Sequence, residues 1–138
     1  MPTSAAAAAS ASFEPLTPTA FLDRSAEVFA DRVAVVDNGS SGEQTTYAQL
    51  RERCLRQAGA LETLGVGPGD RVAVLAPNSR LLLESHYGLP YAGAVLVALN
   101  VRLAVDELAY VVGHAGCRVL LHDPSLADVA AAVAEAVD

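Results

Sequence analysis

The sequence predicts an α/β fold: alternating β-α units forming a mostly parallel sheet with helices on both faces, preceded by a helix and a β-hairpin. Three observations predict it. Short, continuous apolar runs at Arg71–Ala76 (RVAVLA), Ala94–Leu99 (AVLVAL) and Arg118–His122 (RVLLH) have the length and composition of strands buried on both faces. Segments with apolar residues at helical spacing separate these runs. Gly, Pro and Asn punctuate the boundaries between them.

The elements follow in chain order. Residues 1–15 are rich in Ala, Ser, Thr and Pro and are expected to form a disordered tail, leaving 16–138 as the folded part. Thr17-Pro18 reads as an N-cap with proline at the first helical position. Phe21, Val28 and Phe29 are expected to form the buried stripe of that helix. Arg32–Asp37 reads as a strand, Asn38–Gly42 as a turn and Glu43–Thr46 as the returning arm of a hairpin. Thr46 and Gln49 form a capping box for a helix carrying Leu50, Cys54, Ala58 and Leu61, which Gly65 ends as a left-handed cap. Asn78 is expected to cap a helix from Ser79 to about Tyr91. A fourth helix spans residues 104–114. A fifth spans 125–137, with Leu126, Val129, Val133 and Val137 on one side. The alternation reaches residue 138 at the end of a helix, where a strand is the next expected element. The expectation is therefore a partial domain with an open sheet edge.

Composition narrows the function. The chain has 138 residues, 52% hydrophobic and only 18% charged. Either part of the surface is covered within something larger, or alanine inflates the apolar count. The net charge of −7 repels a phosphate backbone, so no nucleic-acid partner is expected. All nine basic residues are arginine. Arg51, Arg53 and Arg56 are interleaved with Glu52 and followed by Glu62, the pattern of a solvated helix face. Cys54 and Cys117 have no CxxC or metal spacing and read as buried free thiols. No leader is evident, and no run reaches the ~18 apolar residues that span a bilayer. A cytoplasmic location is the simplest expectation.

The search for reactive groups yields no catalytic, cofactor-binding or metal residue. Gly65-Val66-Gly67-Pro68-Gly69-Asp70 looks like a phosphate loop, but its polarity is reversed. A phosphate cradle follows a strand and opens a helix, whereas these glycines follow a helix and lead into a strand. Ala76-Pro77-Asn78-Ser79 has the right polarity but lacks glycine and lysine. His86, His114 and His122 lack metal spacing. Ser85 and His86 are sequence neighbours and face different ways on a helix. Asp106-Glu107 suits the positive end of a helix dipole.

Several motifs nevertheless carry a resemblance, in order and over residues 16 to 138. Thr45-Thr46-Tyr47-Ala48-Gln49-Leu50 resembles the "(L/T)TYxEL" helix start of acyl- and aryl-adenylating enzymes. Gly65–Leu75 resembles their "LGVGPGDRVAVL" turn and strand. Tyr91–Asn100 resembles "xxAGAVxVPLN", continued by Val101-Arg102-Leu103 and Glu107-Leu108-Ala109-Tyr110 as in "xRLxxxELAY". Ala98 departs from the pattern where proline is common, and Ala104 where a capping Ser or Thr is common. On these residues the chain is similar to the N-terminal segment of the AMP-forming acyl-CoA synthetase family (the AMP-dependent synthetase and ligase family).

That resemblance implies an activity for the full-length protein. A carboxylic acid and Mg·ATP give an acyl-adenylate and pyrophosphate, and CoA then takes the acyl group. The family's phosphate-binding loop, ribose-binding Asp and C-terminal lysine are absent here, so no cofactor is expected in this segment. ATP, Mg and CoA are implied only for the full-length member. The implied partners are the remainder of the synthetase chain and, for the whole enzyme, a small carboxylic acid. The alternatives are part of an aryl-acid or peptide-synthetase-type adenylation domain, and a non-catalytic short interaction module.

Overall fold

The computed structural model describes residues 16–37 and 42–137. The tail 1–15 and most of the turn 38–42 thus lie outside the described residues. Helix α1 (Pro18–Val28) leads to strands β1 (Val33–Val36) and β2 (Gln44–Thr46), then α2 (Tyr47–Thr63). The chain continues as β3 (Arg71–Leu75), α3 (Arg80–Tyr91), β4 (Val95–Leu99), α4 (Val105–Ala115) and β5 (Cys117–His122). A 3-10 turn (Pro124–Leu126) and α5 (Ala127–Val137) follow.

β1 and β2 pair antiparallel as the expected hairpin. β3, β4 and β5 form a parallel sheet in the order β4-β3-β5. Central β3 is fully covered: Val72, Ala73, Val74 and Leu75 have no solvent exposure. Side chains alternate between the two faces. Val72 and Val74, in register with Leu96 and Ala98 of β4, face the layer of α2 and α3 through Ala58, Leu61 and Leu89. Ala73 and Leu75 face α4 and α5 through Leu108, Val112, Ala130 and Val133. The two-sided covering follows from the strand order. The β3-to-β4 and β4-to-β5 connections run in opposite directions across the sheet. Crossovers of one hand then place α3 and α4 on opposite faces.

The ends of the strands that start the sheet are tied by backbone-directed arginines and glycine turns. Gly65, at φ +76°, closes α2 with a Schellman pair: its N–H donates to Glu62 O at 2.9 Å and Val66 N–H to Leu61 O at 3.0 Å. Arg71 donates from Nε to Ala115 O (2.8 Å), from Nη2 to Gly116 O (3.1 Å) and from Nη1 to Gly69 O (3.1 Å). Gly116, at φ +62°, is the left-handed cap of α4, and a Cβ there would stand 2.9 Å from Arg71 Nη2.

The helices of the first layer are joined by polar contacts. Arg53 pairs with buried Glu84, and Gln57 Nε2 donates to Ser85 Oγ at 2.9 Å. Arg80 holds the hairpin by two parallel bonds to Glu43, each 2.8 Å. Asp23 takes hydrogen bonds from Arg51 and from the Tyr91 hydroxyl. Burial alone would raise the Asp23 pKa, but these two donors outweigh it and leave the carboxyl below its ordinary value.

Four sequence expectations are corrected. Phe21, Val28 and Phe29 are exposed. The buried residue of α1 is Leu22, because Leu22 and Asp23 face α2 and α3. The N-cap of α3 is Ser79 and not Asn78, and it makes no side-chain capping bond. At the last helix Leu126, Val129 and Val133 pack on one core face as expected, joined by Ala130, but Val137 lies at the exposed end. Cys117 is half-buried at the start of β5, where one extra residue bulges against Arg71 and Val72.

Three measurements test this account. At Ala104, Glu107 Oε2 accepts the backbone N–H at 2.9 Å, but alanine has no oxygen for the N–H groups of the first turn. Ala104→Ser should therefore raise stability by about 1 kcal/mol in urea melts. Gly116→Ala should cost about 1–2 kcal/mol, from the left-handed backbone alone. Asp23 has a lowered folded pKa, so its contribution is complete above the unfolded value of about 4 and is lost as pH falls further. The urea midpoints of the parent and Asp23→Ala should thus differ at pH 7 and converge below pH 4.

Candidate functional site

The two ends of the sheet differ in what their polar groups are free to do. At the end where β3 begins, the turn 65–70 spends its donors and acceptors internally. Gly67 N–H donates to Asp70 Oδ2 at 2.9 Å and Gly69 N–H to Gly93 O at 2.9 Å. Arg118 Nη1 donates to Gly65 O (3.1 Å) and to Asp70 Oδ2 (3.0 Å). The bond from the Gly67 amide, followed by the charge of Arg118, holds the Asp70 carboxyl below its usual pKa. The glycine-rich segment is thus a structural turn, as its reversed polarity indicated, and it offers no phosphate cradle.

The opposite end gathers the loops 76–79, 100–104 and 123–126, which leave the carboxyl ends of β3, β4 and β5. In open α/β sheets this end, where connections depart to opposite faces, is where crevices form. One opens here beside the start of α3, lined by Asn78, Ser79, Leu82, Leu83, His86 and Tyr87. A second lies across Ser79, between β1 and α3, with Val35, Val36 and Asp37 on its far wall. The Ser79 hydroxyl has no hydrogen-bond partner and its oxygen is buried. By its sequence this segment reads as a capped helix start. Its strand-to-helix polarity was the available signal for a crevice.

The candidate reactive groups do not converge. His86 Nδ1 lies 2.8 Å from Leu82 O, and His122 Nδ1 lies 3.0 Å from Asp123 O, so each ring is tied to nearby backbone. His114 stacks on Tyr110 with ring centroids 5.5 Å apart. Ser85 donates to Leu81 O and accepts from Gln57, with no base beside it. Burial pushes the Cys54 thiol up to about 12, with the charge of Glu84 adding to the effect, so it is a poor nucleophile. Of the acidic pair, Glu107 caps α4 and Asp106 lies exposed in the same first turn. Among the described residues, no three His, Cys, Asp or Glu side chains are placed to hold a metal ion. No helix among them is long and apolar enough to cross a membrane.

Mg·ATP needs convergent cations, free N–H groups or carboxylates for the metal. Among the described residues, the glycine turn is closed on itself, and Arg51, Arg53, Arg80 and Arg118 are each paired with a carboxylate. The described residues shape a crevice and support a sheet, and no acid–base pair is assembled among them.

Known proteins share this sequence and architecture. The family described as "AMP-binding enzyme" matches residues 22–138. A long-chain-fatty-acid–CoA ligase of Thermus thermophilus is 44% identical over 115 residues, covering 82% of this chain and 21% of the relative. A peroxisomal acetate/butyrate–CoA ligase of Arabidopsis thaliana is 40% identical, covering 82% of this chain and 19% of the relative. The chain thus spans about a fifth of the length of these relatives. Among solved structures, a benzoate CoA ligase from Burkholderia xenovorans superposes with a TM-score of 0.78 at 32% identity, over 85% of this chain and 23% of that one. A Mycobacterium tuberculosis fatty acyl CoA synthetase gives 0.77 at 35% identity, over 83% and 22%. The two-faced parallel sheet and the ordered motifs agree with these matches, and the chain belongs to the AMP-binding enzyme family.

Proposed function

We propose that this chain is the scaffold-forming start of an ATP-dependent acyl-CoA ligase acting in the cytoplasm, and that the chain by itself is inactive. One observation carries the reading. The segment matches ligases whose names specify long-chain fatty acid, acetate or butyrate, and benzoate, at comparable identity. A segment shared across acids so different in size serves what they have in common rather than the choice of acid. The common need is a rigid sheet on which the rest of a large domain packs. The two free thiols, one of them buried, suit a reducing compartment.

In the full-length enzyme the reaction would join a carboxylic acid to CoA at the expense of ATP, releasing AMP and pyrophosphate. A carboxylate is a poor electrophile, and adenylation gives it a good leaving group. ATP, Mg and CoA would be held by residues outside this segment. The similarity to CoA ligases also favours a fatty or other carboxylic acid over the amino acids of peptide synthetases.

The test is pyrophosphate–ATP exchange with a panel of carboxylic acids. The 138-residue chain should give no exchange above a protein-free blank. The full-length protein that contains it should exchange with at least one acid and form the thioester only when CoA is added. Exchange by the short chain would overturn its assignment as a scaffold. A full-length protein that activates acids but transfers them to a carrier domain instead of CoA would overturn the ligase assignment.

A further inference from the structure

We infer that the outer face of α1 is a self-complementary surface on which a second copy of this chain docks, with the two α1 helices antiparallel about a two-fold axis. α1 turns Leu22 and Asp23 inward, toward α2 and α3. Its opposite side carries Phe21 and Val28, which are 56% and 61% exposed. They are seven residues apart and so share one stripe of the helix. Leu16 and Phe29, also exposed, extend the apolar surface at its two ends. Single exposed apolar residues are ordinary, but four along one short helix make a patch of the kind that marks an interface.

Charge complementarity identifies the occupant. Arg24 and Glu27 stand between Phe21 and Val28 in the chain and lie on the same flank of the stripe. Both are exposed, and neither forms an ion pair among the described residues. In an antiparallel pair about a two-fold, like flanks meet and the order along the helix is reversed. Phe21 of each copy then lies over Val28 of the other. Arg24 of each copy reaches Glu27 of the other, so the four charges find opposite partners at once. Ser25, nearest the axis on the other flank, is small enough to let the helices approach closely. A parallel pair would bring opposite flanks together and leave the charges facing Ser25. An unrelated partner would need the complement of this pattern by coincidence, whereas a second copy already carries it. α1 has 11 residues and is about 16 Å long. A contact of that length falls below the ~1,200 Å² of stable interfaces, so association in the micromolar range is expected.

The experiment is sedimentation velocity on the full-length protein that contains this chain, from about 1 to 200 µM. A reversible monomer–dimer equilibrium is expected. Phe21→Ser and Val28→Ser should each weaken it about tenfold or more, since the two-fold counts every change twice. Both side chains are exposed, so the urea midpoint of each variant should hardly move. Charge reversal gives the sharper arm. Arg24→Glu or Glu27→Arg alone should weaken self-association about tenfold or more, because like charges then meet. Mixing the two single variants should restore association as a heterodimer, and so should both changes within one chain. A protein that stays monomeric at the top concentration would overturn the inference, and it is the result expected if another part of the full-length chain covers α1. A dimer indifferent to these substitutions assembles elsewhere and would overturn it too. Acid activation does not enter the readout, so the outcome is independent of the function proposed above.

Discussion

The guanidinium of Arg71 is the contact on which the arrangement of the sheet depends. Its three bonds go only to backbone carbonyls, at Gly69, Ala115 and Gly116. They join the turn before β3 to the turn before β5, and so set where β5 enters. β4 is fixed to the same point by backbone alone, through Gly69 N–H to Gly93 O and Val95 N–H to Asp70 O. Backbone carbonyls at helix ends lack intrahelical partners, and a planar five-donor group can satisfy several at once. Lysine, a compact point charge on a flexible stem, would not hold the three carbonyls in this geometry. Arg118, one strand over, holds the same turn by one backbone carbonyl, Gly65 O, and by the Asp70 carboxylate.

Glycine makes these close approaches possible where they matter. At Gly93, a Cβ would come within 3.2 Å of the Pro68 backbone and the residue sits at φ +71°, so the turn into β4 and the turn into β3 can stack. The segment that resembles a nucleotide loop is thereby explained without a nucleotide.

Much of this fold was legible in the sequence because its signals are local. The apolar runs of β3, β4 and β5, the Thr46–Gln49 capping box and the Gly65 cap each follow from a few adjacent residues. The α1 stripe was not legible. Phe21, Leu22, Val28 and Phe29 are all apolar, and choosing Leu22 required knowing that Arg51 and Tyr91 would draw Asp23 inward. Those partners lie far along the chain, beyond the reach of periodicity. The crevice at Ser79 was hidden for a similar reason: one wall is α3, while the other comes from β1. Arg80 shows the limit from the other side, since a lone arginine at a helix start gave no hint of its bidentate hold on Glu43.

The strand order also governs the sequence of events in folding. The central strand comes first of the three, and its partners arrive later: Arg71 aligns with Val95 of β4, then with Cys117 of β5. Contacts close in sequence form soonest. β3, α3 and β4 can therefore assemble as an early unit while the chain is still being synthesised. Until α4 and α5 appear, Ala73 and Leu75 in that unit have no cover, and the nascent chain presents a bare apolar sheet face. A fold whose middle strand is made first thus leaves one face of it bare until residues 105–137 have emerged, which is the interval in which a chaperone would find something to hold.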